Sequence, residues 1–318
     1  MLIVSLMMGG GLLLLTVGAD ALVRGATSIA RRVGISPLVI GLTVVALATS
    51  LPELLVSVGA SLRGSPGVAL GNVVGSNIAN IGLILGSAAV LGRIQVQAQV
   101  IRFDAPILLL CSVAMIALGL DGTLSRVDGT VLVAALIGYI VFNIRLARRE
   151  PEAEALQKEF GEGLPQEHPL WQDALYLVGG LTGLLLGAEL LVDGAVDVAG
   201  AFGIPDAVVG LTVIAVGTSL PELATSVAAA YRGEGDIAIG NAIGSSIFNL
   251  LGILGATTVI HPLDAASIGI EDALVMTGFS LLVLPLLRSD VTLSRREGAL
   301  LLIAYIAYIG WTVAKTMG

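Results

Sequence analysis

Apolar residues fall in ten runs near the 20-residue length needed to cross a bilayer, at roughly 2–23, 38–61, 68–91, 105–120, 127–146, 173–192, 207–230, 237–260, 272–288 and 297–314. Polar residues gather in short clusters between them. The pattern predicts an all-α polytopic membrane protein with ten transmembrane helices. One long polar stretch, Ala147 to Leu170, interrupts it. This divides the chain into a five-helix half over 1–146, a linker over 147–170 and a second five-helix half over 171–318. The first run starts at Leu2 without a basic n-region or an A-x-A cleavage site, and is expected to be a retained span.

Lys and Arg between the runs set the orientation. With the N-terminus outside, Arg24, Arg31, Arg32, Arg93, Arg102, Arg145, Arg148, Arg149, Lys158, Arg232, Arg288, Arg295 and Arg296 are cytoplasmic, and only Arg63, Arg126 and Lys315 are not. The positive-inside rule therefore predicts both termini outside and the linker inside.

Composition narrows the function classes. The residues AVILMFWYC make up 56% of the chain, and the mean hydropathy is +0.96. With 41 Gly among 318 residues the apolar share approaches 70%, against about 45–50% for soluble domains. Cys111 lies inside an apolar run, which suits packing, and His168 and His261 both adjoin Pro in polar connections. That pattern speaks against a His/Cys metal centre or a Ser-His nucleophile. The net charge of −8 is spread over loops and offers no nucleic-acid surface. No cofactor, nucleic acid or obligate protein partner is expected beyond the lipid bilayer and transported ions.

The chain also repeats itself. At an offset of 169, residues 18–86 match 187–255 without a gap, with 36 of 69 positions identical. G-L-T-V-V-A-L-A-T-S-L-P-E-L from Gly41 stands against G-L-T-V-I-A-V-G-T-S-L-P-E-L from Gly210. G-N-V-V-G-S-N-I-A-N from Gly71 stands against G-N-A-I-G-S-S-I-F-N from Gly240. Five spans separate matching points, so the second copy enters the membrane from the opposite face. Inverted repeats with interrupted helices point to a transporter site at the midplane.

The shared residues carry the chemistry. Glu53 and Glu222 sit mid-span directly after Pro52 and Pro221. A carboxylate at the bilayer centre costs at least about 2.5–3.5 kcal/mol. No Lys or Arg lies mid-span to offset it, so a bound cation is the expected partner; the alternative is a protonated pair bonded within the bundle. Two carboxylates match one divalent ion. The prolines disrupt the turns before them and should release carbonyls near Ala46, Thr49, Ala215 and Thr218, while Thr49, Ser50, Thr218 and Ser219 add hydroxyls. This all-oxygen set suits calcium better than zinc or copper. Ser76 and Asn80, like Ser245 and Asn249, are four apart on one helix face and offer neutral oxygens suited to sodium. Asn72 and Asn241 either ligate or bridge broken helix ends. Gly71, Gly75, Gly240 and Gly244 read as sites of close helix approach. Asp20 and Glu189, also related by the offset, read as helix-end carboxylates in preference to lining an ion path.

The paired T-S-L-P-E-L and G-N-x-x-G-S-x-I-x-N segments resemble the two α-repeats of the calcium/cation antiporter superfamily, and within it prokaryotic sodium/calcium exchangers. The resemblance spans essentially the whole chain. It implies that Glu53 and Glu222 hold calcium with carbonyls of Thr49 and Thr218. It places sodium at Ala46, Thr49, Ser50, Glu53, Ser76, Asn80, Ala215, Thr218, Ser219, Glu222, Ser245 and Asn249. Many relatives carry Asp where this chain has Asn249, a departure that resembles the potassium-independent branch. Alternating access is implied, with spans one and six moving against a core, in a prokaryotic inner membrane. The nearest rival is a proton/calcium antiporter, whose relatives carry Glu at the positions of Gly75 and Gly244. A channel fits the broken symmetric helices less well, and an intramembrane enzyme would lack histidines or further acids to hold a metal.

Overall fold

A computed structural model describes residues 2–147, 169–201, 215–288 and 291–317. Twelve helical runs follow in chain order: α1 (Leu2–Val33), α2 (Pro37–Thr49), α3 (Leu51–Leu62), α4 (Pro66–Leu91), α5 (Val100–Asp121), α6 (Arg126–Ala147), α7 (Leu170–Ala201), α8 (Ala215–Thr218), α9 (Leu220–Tyr231), α10 (Gly235–Ile260), α11 (Ile270–Arg288) and α12 (Arg295–Met317). Eight of them are long and apolar enough to cross a membrane, and the α2–α3 pair, bent by 44°, makes a ninth. The expected seventh span, 207–230, is described only from Ala215 onward. The body of the predicted linker, with His168, lies outside the described residues.

Two boundaries differ from the hydropathy reading. Helices α1 and α7 each run for 32 residues, about 48 Å at 1.5 Å per residue, far longer than the runs 2–23 and 173–192. The extra turns of α1 carry polar residues that find a partner on α7. Asp173 on α7 is fully buried and accepts hydrogen bonds from Ser28 at 2.8 Å and Arg32 Nη2 at 2.7 Å, both on α1. Between these ends the two helices touch backbone to backbone. A Cβ on Gly18 would lie 2.8 Å from the Gly180 carbonyl oxygen, and one on Gly187 would lie 2.8 Å from that of Gly11. Small residues allow such approach between membrane helices, where packing and not water exclusion drives association. The second difference is α5, which begins at Val100 and so draws Arg102 and Asp104 out of the predicted loop.

The centre of the bundle is α10, which is buried along its whole spanning stretch, with α4 mostly buried beside it. Cys111 is buried and unbonded, as its packing role requires. Asp104 is buried too, where Tyr139 donates to it at 2.9 Å and Gln99 at 3.2 Å.

Short antiparallel ladders tie loops of the two halves. Strand β1 (Ile94–Gln95) pairs with β4 (Thr292–Leu293), and β2 (Thr123–Leu124) with β3 (Leu263–Asp264). Adding 169 to one member of each pairing converts the first ladder into the second: Ile94 becomes Leu263 and Leu124 becomes Leu293. The caps repeat in the same way. Ser125 and Asp128 open α6 with a reciprocal capping box at 2.8 and 3.3 Å, and Ser294 and Glu297 open α12 at 2.7 and 3.4 Å. Ser294→Ala should cost about 1 kcal/mol, read as a lower thermal midpoint in detergent.

Candidate functional site: a paired-glutamate ion centre

Both candidate carboxylates stand at helix breaks. Helix α2 stops at Thr49, and Ser50 leaves the helical basin with ψ of 9° before α3 restarts with Pro52 in its first turn. The second copy repeats this at Ser219, with ψ of 7° and Pro221 after it. Proline cannot donate to the preceding turn but fits the start of a helix, so each Pro ends one segment and opens the next. Glu53 and Glu222 thereby fall in the first turns of α3 and α9, where the positive end of a helix dipole favours a negative charge.

The two breaks face each other. Ser50 Oγ donates to Glu222 Oε1 at 2.8 Å, and Ser219 Oγ donates to Glu53 Oε1 at 3.0 Å. Each copy thus supplies its hydroxyl to the carboxylate of the other. Thr49 and Thr218 stand immediately before the two serines. All six side chains are buried, the two glutamates to 1% exposure. The second carboxylate oxygens, Glu53 Oε2 and Glu222 Oε2, have no protein donor. A buried carboxylate left so is costly unless a cation meets it or a proton neutralises it.

The neutral oxygens come from α4 and α10. Asn80 and Asn249 each begin a π-helical turn, Asn80–Leu85 in one and Asn249–Ile253 in the other. A π turn adds a residue to the helix and commonly marks a functional site. Asn80 Oδ1, Asn249 Oδ1 and Ser76 Oγ are buried with no hydrogen-bond partner, while Ser245 Oγ lies 3.5 Å from Asn241 Oδ1. Ala46 follows a third π turn, Gly41–Val45, and its carbonyl accepts the Ser50 N–H at 3.1 Å. This engages one of the lone pairs expected to be released. In the second copy Ser219 N–H turns to the Val216 carbonyl, so the Ala215 carbonyl is not used that way.

The open choice for Asn72 and Asn241 resolves toward bridging. Asn72 Nδ2 donates to the Glu53 carbonyl at 3.1 Å and to Ser57 Oγ at 2.9 Å, and Asn241 Nδ2 donates to the Glu222 carbonyl at 3.2 Å and to Ser226 Oγ at 2.9 Å. These amides anchor each glutamate's helix to α4 or α10. Asn241 Oδ1 also accepts from Thr49 at 3.1 Å, joining the two copies. Of the four glycines, Gly240 and Gly244 show the expected close approach: a Cβ would meet the Leu38 carbonyl oxygen at 2.8 Å and Leu42 Cα at 2.7 Å. The counterparts of Leu38 and Leu42 in the second copy, Ala207 and Leu211, lie outside the described residues. Asp20 and Glu189 stand apart from the centre. Asp20 pairs with Arg24 and Arg232, and Glu189 is exposed. No group of three or more His, Cys, Asp or Glu residues gathers here among the described residues; the polar atoms near the two glutamates belong to hydroxyls, amides and carbonyls.

Comparison with known proteins identifies the family. The sequence profile of the family described as Sodium/calcium exchanger protein matches twice, at residues 3–145 and 173–314. The chain is 42% identical over 264 residues to inner membrane protein YrbG of Escherichia coli strain K12, covering 82% of this chain and 81% of that protein. It is 35% identical over 339 residues to sodium/calcium exchanger MaX1 of Methanosarcina acetivorans, covering 94% and 95%. A solved structure of the sodium-calcium exchanger NCX_Mj, soaked with 10 mM Na+ and 10 mM Sr2+, superposes with a TM-score of 0.85 at 36% identity, covering 97% of this chain and 98% of that one. This multi-pass integral membrane protein belongs to the sodium/calcium exchanger family of cation antiporters.

Proposed function

We propose that the protein exchanges sodium for calcium by alternating access, with both ions bound between two inverted five-helix repeats that make ten spans in all. The observation that carries this reading is the pair of buried glutamates, each hydrogen-bonded by the other copy's serine and each keeping one oxygen with no protein partner. Calcium takes Glu53 and Glu222 with carbonyls of Thr49 and Thr218. Sodium ions use the same groups with Ala46, Ser50, Ser76, Asn80, Ala215, Ser219, Ser245 and Asn249. Hard cations prefer such oxygen ligands, and the breaks leave them free to adjust between ions of different charge. Because both ions need the same two carboxylates, they compete. The unloaded site holds two negative charges away from water, and this opposes movement without cargo and couples the fluxes.

The inverted arrangement is supported by the interconverting ladders and matched capping boxes. Both termini lie outside and 147–170 lies in the cytoplasm, as the distribution of Arg and Lys requires, in a prokaryotic inner membrane. Sodium is favoured over protons as the driving ion because glycine, with no carboxyl to carry a proton, stands at both 75 and 244; at Gly244 a Cβ would already meet Leu42 Cα at 2.7 Å, while at Gly75 nothing lies within 4 Å.

Radioactive calcium uptake into sodium-loaded proteoliposomes diluted into sodium-free buffer tests the proposal. Uptake should need the outward sodium gradient and persist when the pH gradient is collapsed with an ionophore. Uptake driven by a pH gradient with sodium absent throughout would replace sodium by protons.

A further inference from the structure

Asp20, in the second half of α1, pairs with Arg24 at 2.9 Å and with Arg232 at the end of α9. Adding 169 or subtracting it converts this trio into Glu189 and Asp193 on α7 and Arg63 at the end of α3. The second trio keeps the acid and the helix-end arginine but not the contact. Glu189 is exposed and holds no ion pair among the described residues, and Arg63 turns back to donate to the Gly59 carbonyl at 3.0 Å. Packing divides in the same way: α1 lies along α9, whereas α7 makes no comparable packed face with α3 among the described residues. Of the two symmetry-related acid–arginine sites, one is paired.

We propose that Asp20 and Arg232 form a reversible lock on the inner mouth, and that Glu189 and Arg63 form its counterpart on the outer mouth, the two held alternately. The inference rests on the alternating-access reading above. The glycine contacts bind α1 and α7 into one body, so a slide that withdraws α1 from α9 carries α7 toward α3. The charges suit both positions. The inner acid stands beside two arginines, Arg24 and Arg232; the outer arginine would stand beside two acids, Glu189 and Asp193. The Asp20 and Arg232 side chains are 40% and 30% exposed, so the pair biases the equilibrium by about two- to fivefold without freezing it. A carrier that must turn over needs a lock of that modest strength.

Crosslinking tests this. In a Cys111→Ala background, Asp20→Cys/Arg232→Cys and Arg63→Cys/Glu189→Cys are treated with a bifunctional thiosulfonate whose spacer matches an Arg–Asp contact. Sodium and calcium are present on both sides, and linked peptides are read by mass spectrometry. Both pairs should link, each link should stop transport until it is reduced, and adding Arg232→Gln should speed linking of the outer pair by about two- to fivefold. Failure of either pair to link, or an outer rate unchanged by Arg232→Gln, overturns the lock. Linking does not depend on which ions are exchanged. Two linked pairs in a protein without sodium-driven calcium uptake would therefore sink the exchange reading and leave the lock standing.

Discussion

Glu53→Gln will lower sodium-driven calcium uptake by about a hundredfold or more, and Glu222→Gln will do the same. The amide keeps the shape of the side chain and removes one of two negative charges facing a divalent ion. At about 4 Å and an effective dielectric near 20, one unit charge against another is worth about 4 kcal/mol; against a divalent ion the loss is larger, and relief of the desolvated carboxylate gives part of it back. The reciprocal serine bonds make the two positions equivalent, so neither variant should be much milder. Either should also melt at the same temperature or higher in ion-free buffer, because a buried like-charge pair has been relieved. Uptake above half of the unsubstituted rate in one variant would show that the ion is not shared between the two copies.

Gly180→Leu will destabilise the protein by about 3 kcal/mol and reduce transport with it. A Cβ at residue 180 already falls 2.5 Å from the Leu22 nitrogen and 2.7 Å from the Gly18 carbonyl oxygen. No rotamer of leucine escapes backbone atoms, so α1 and α7 must part, and overpacking of this kind costs about 1–3 kcal/mol and occasionally more. Thermal unfolding in detergent checks the stability, and uptake per folded molecule checks whether the helix pair still moves as one. Gly179→Leu is the control, since a Cβ there meets nothing within 4 Å; a variant at 179 as damaged as that at 180 would remove the seam as the cause.

Eight or nine of the spans, the repeat and the place of the two glutamates at helix breaks were legible, because hydropathy, self-similarity and charge inside apolar runs are strong one-dimensional signals. The full lengths of α1 and α7 were not. Their second partners are polar, and Arg32 looks like loop until Asp173, 141 positions away, is seen to receive it. The π turns at Asn80 and Asn249 leave no mark because one extra residue per turn hardly alters an apolar pattern. The ladders are two residues long, too short for alternation to show. Asp104 fell into a loop for a related reason: Gln99, Tyr139 and Asn143 build its surroundings, and only the last two lie in an apolar run. The bridging role of Asn72 and Asn241 needed geometry, since an amide four residues before a serine fits either function.

The ladders also set the order in which the protein can be finished. Ile94 waits for Leu293 and Leu124 for Leu263, so the first half leaves the ribosome with both strand edges unpaired. About 200 residues must follow before β1 meets β4, some 10–40 s at ordinary rates of synthesis. Glu53 waits as well for Ser219, its donor. Assembly is therefore a late event joining two inserted halves, and a nascent chain stalled within the linker would present an incomplete bundle to the quality-control proteases of the membrane.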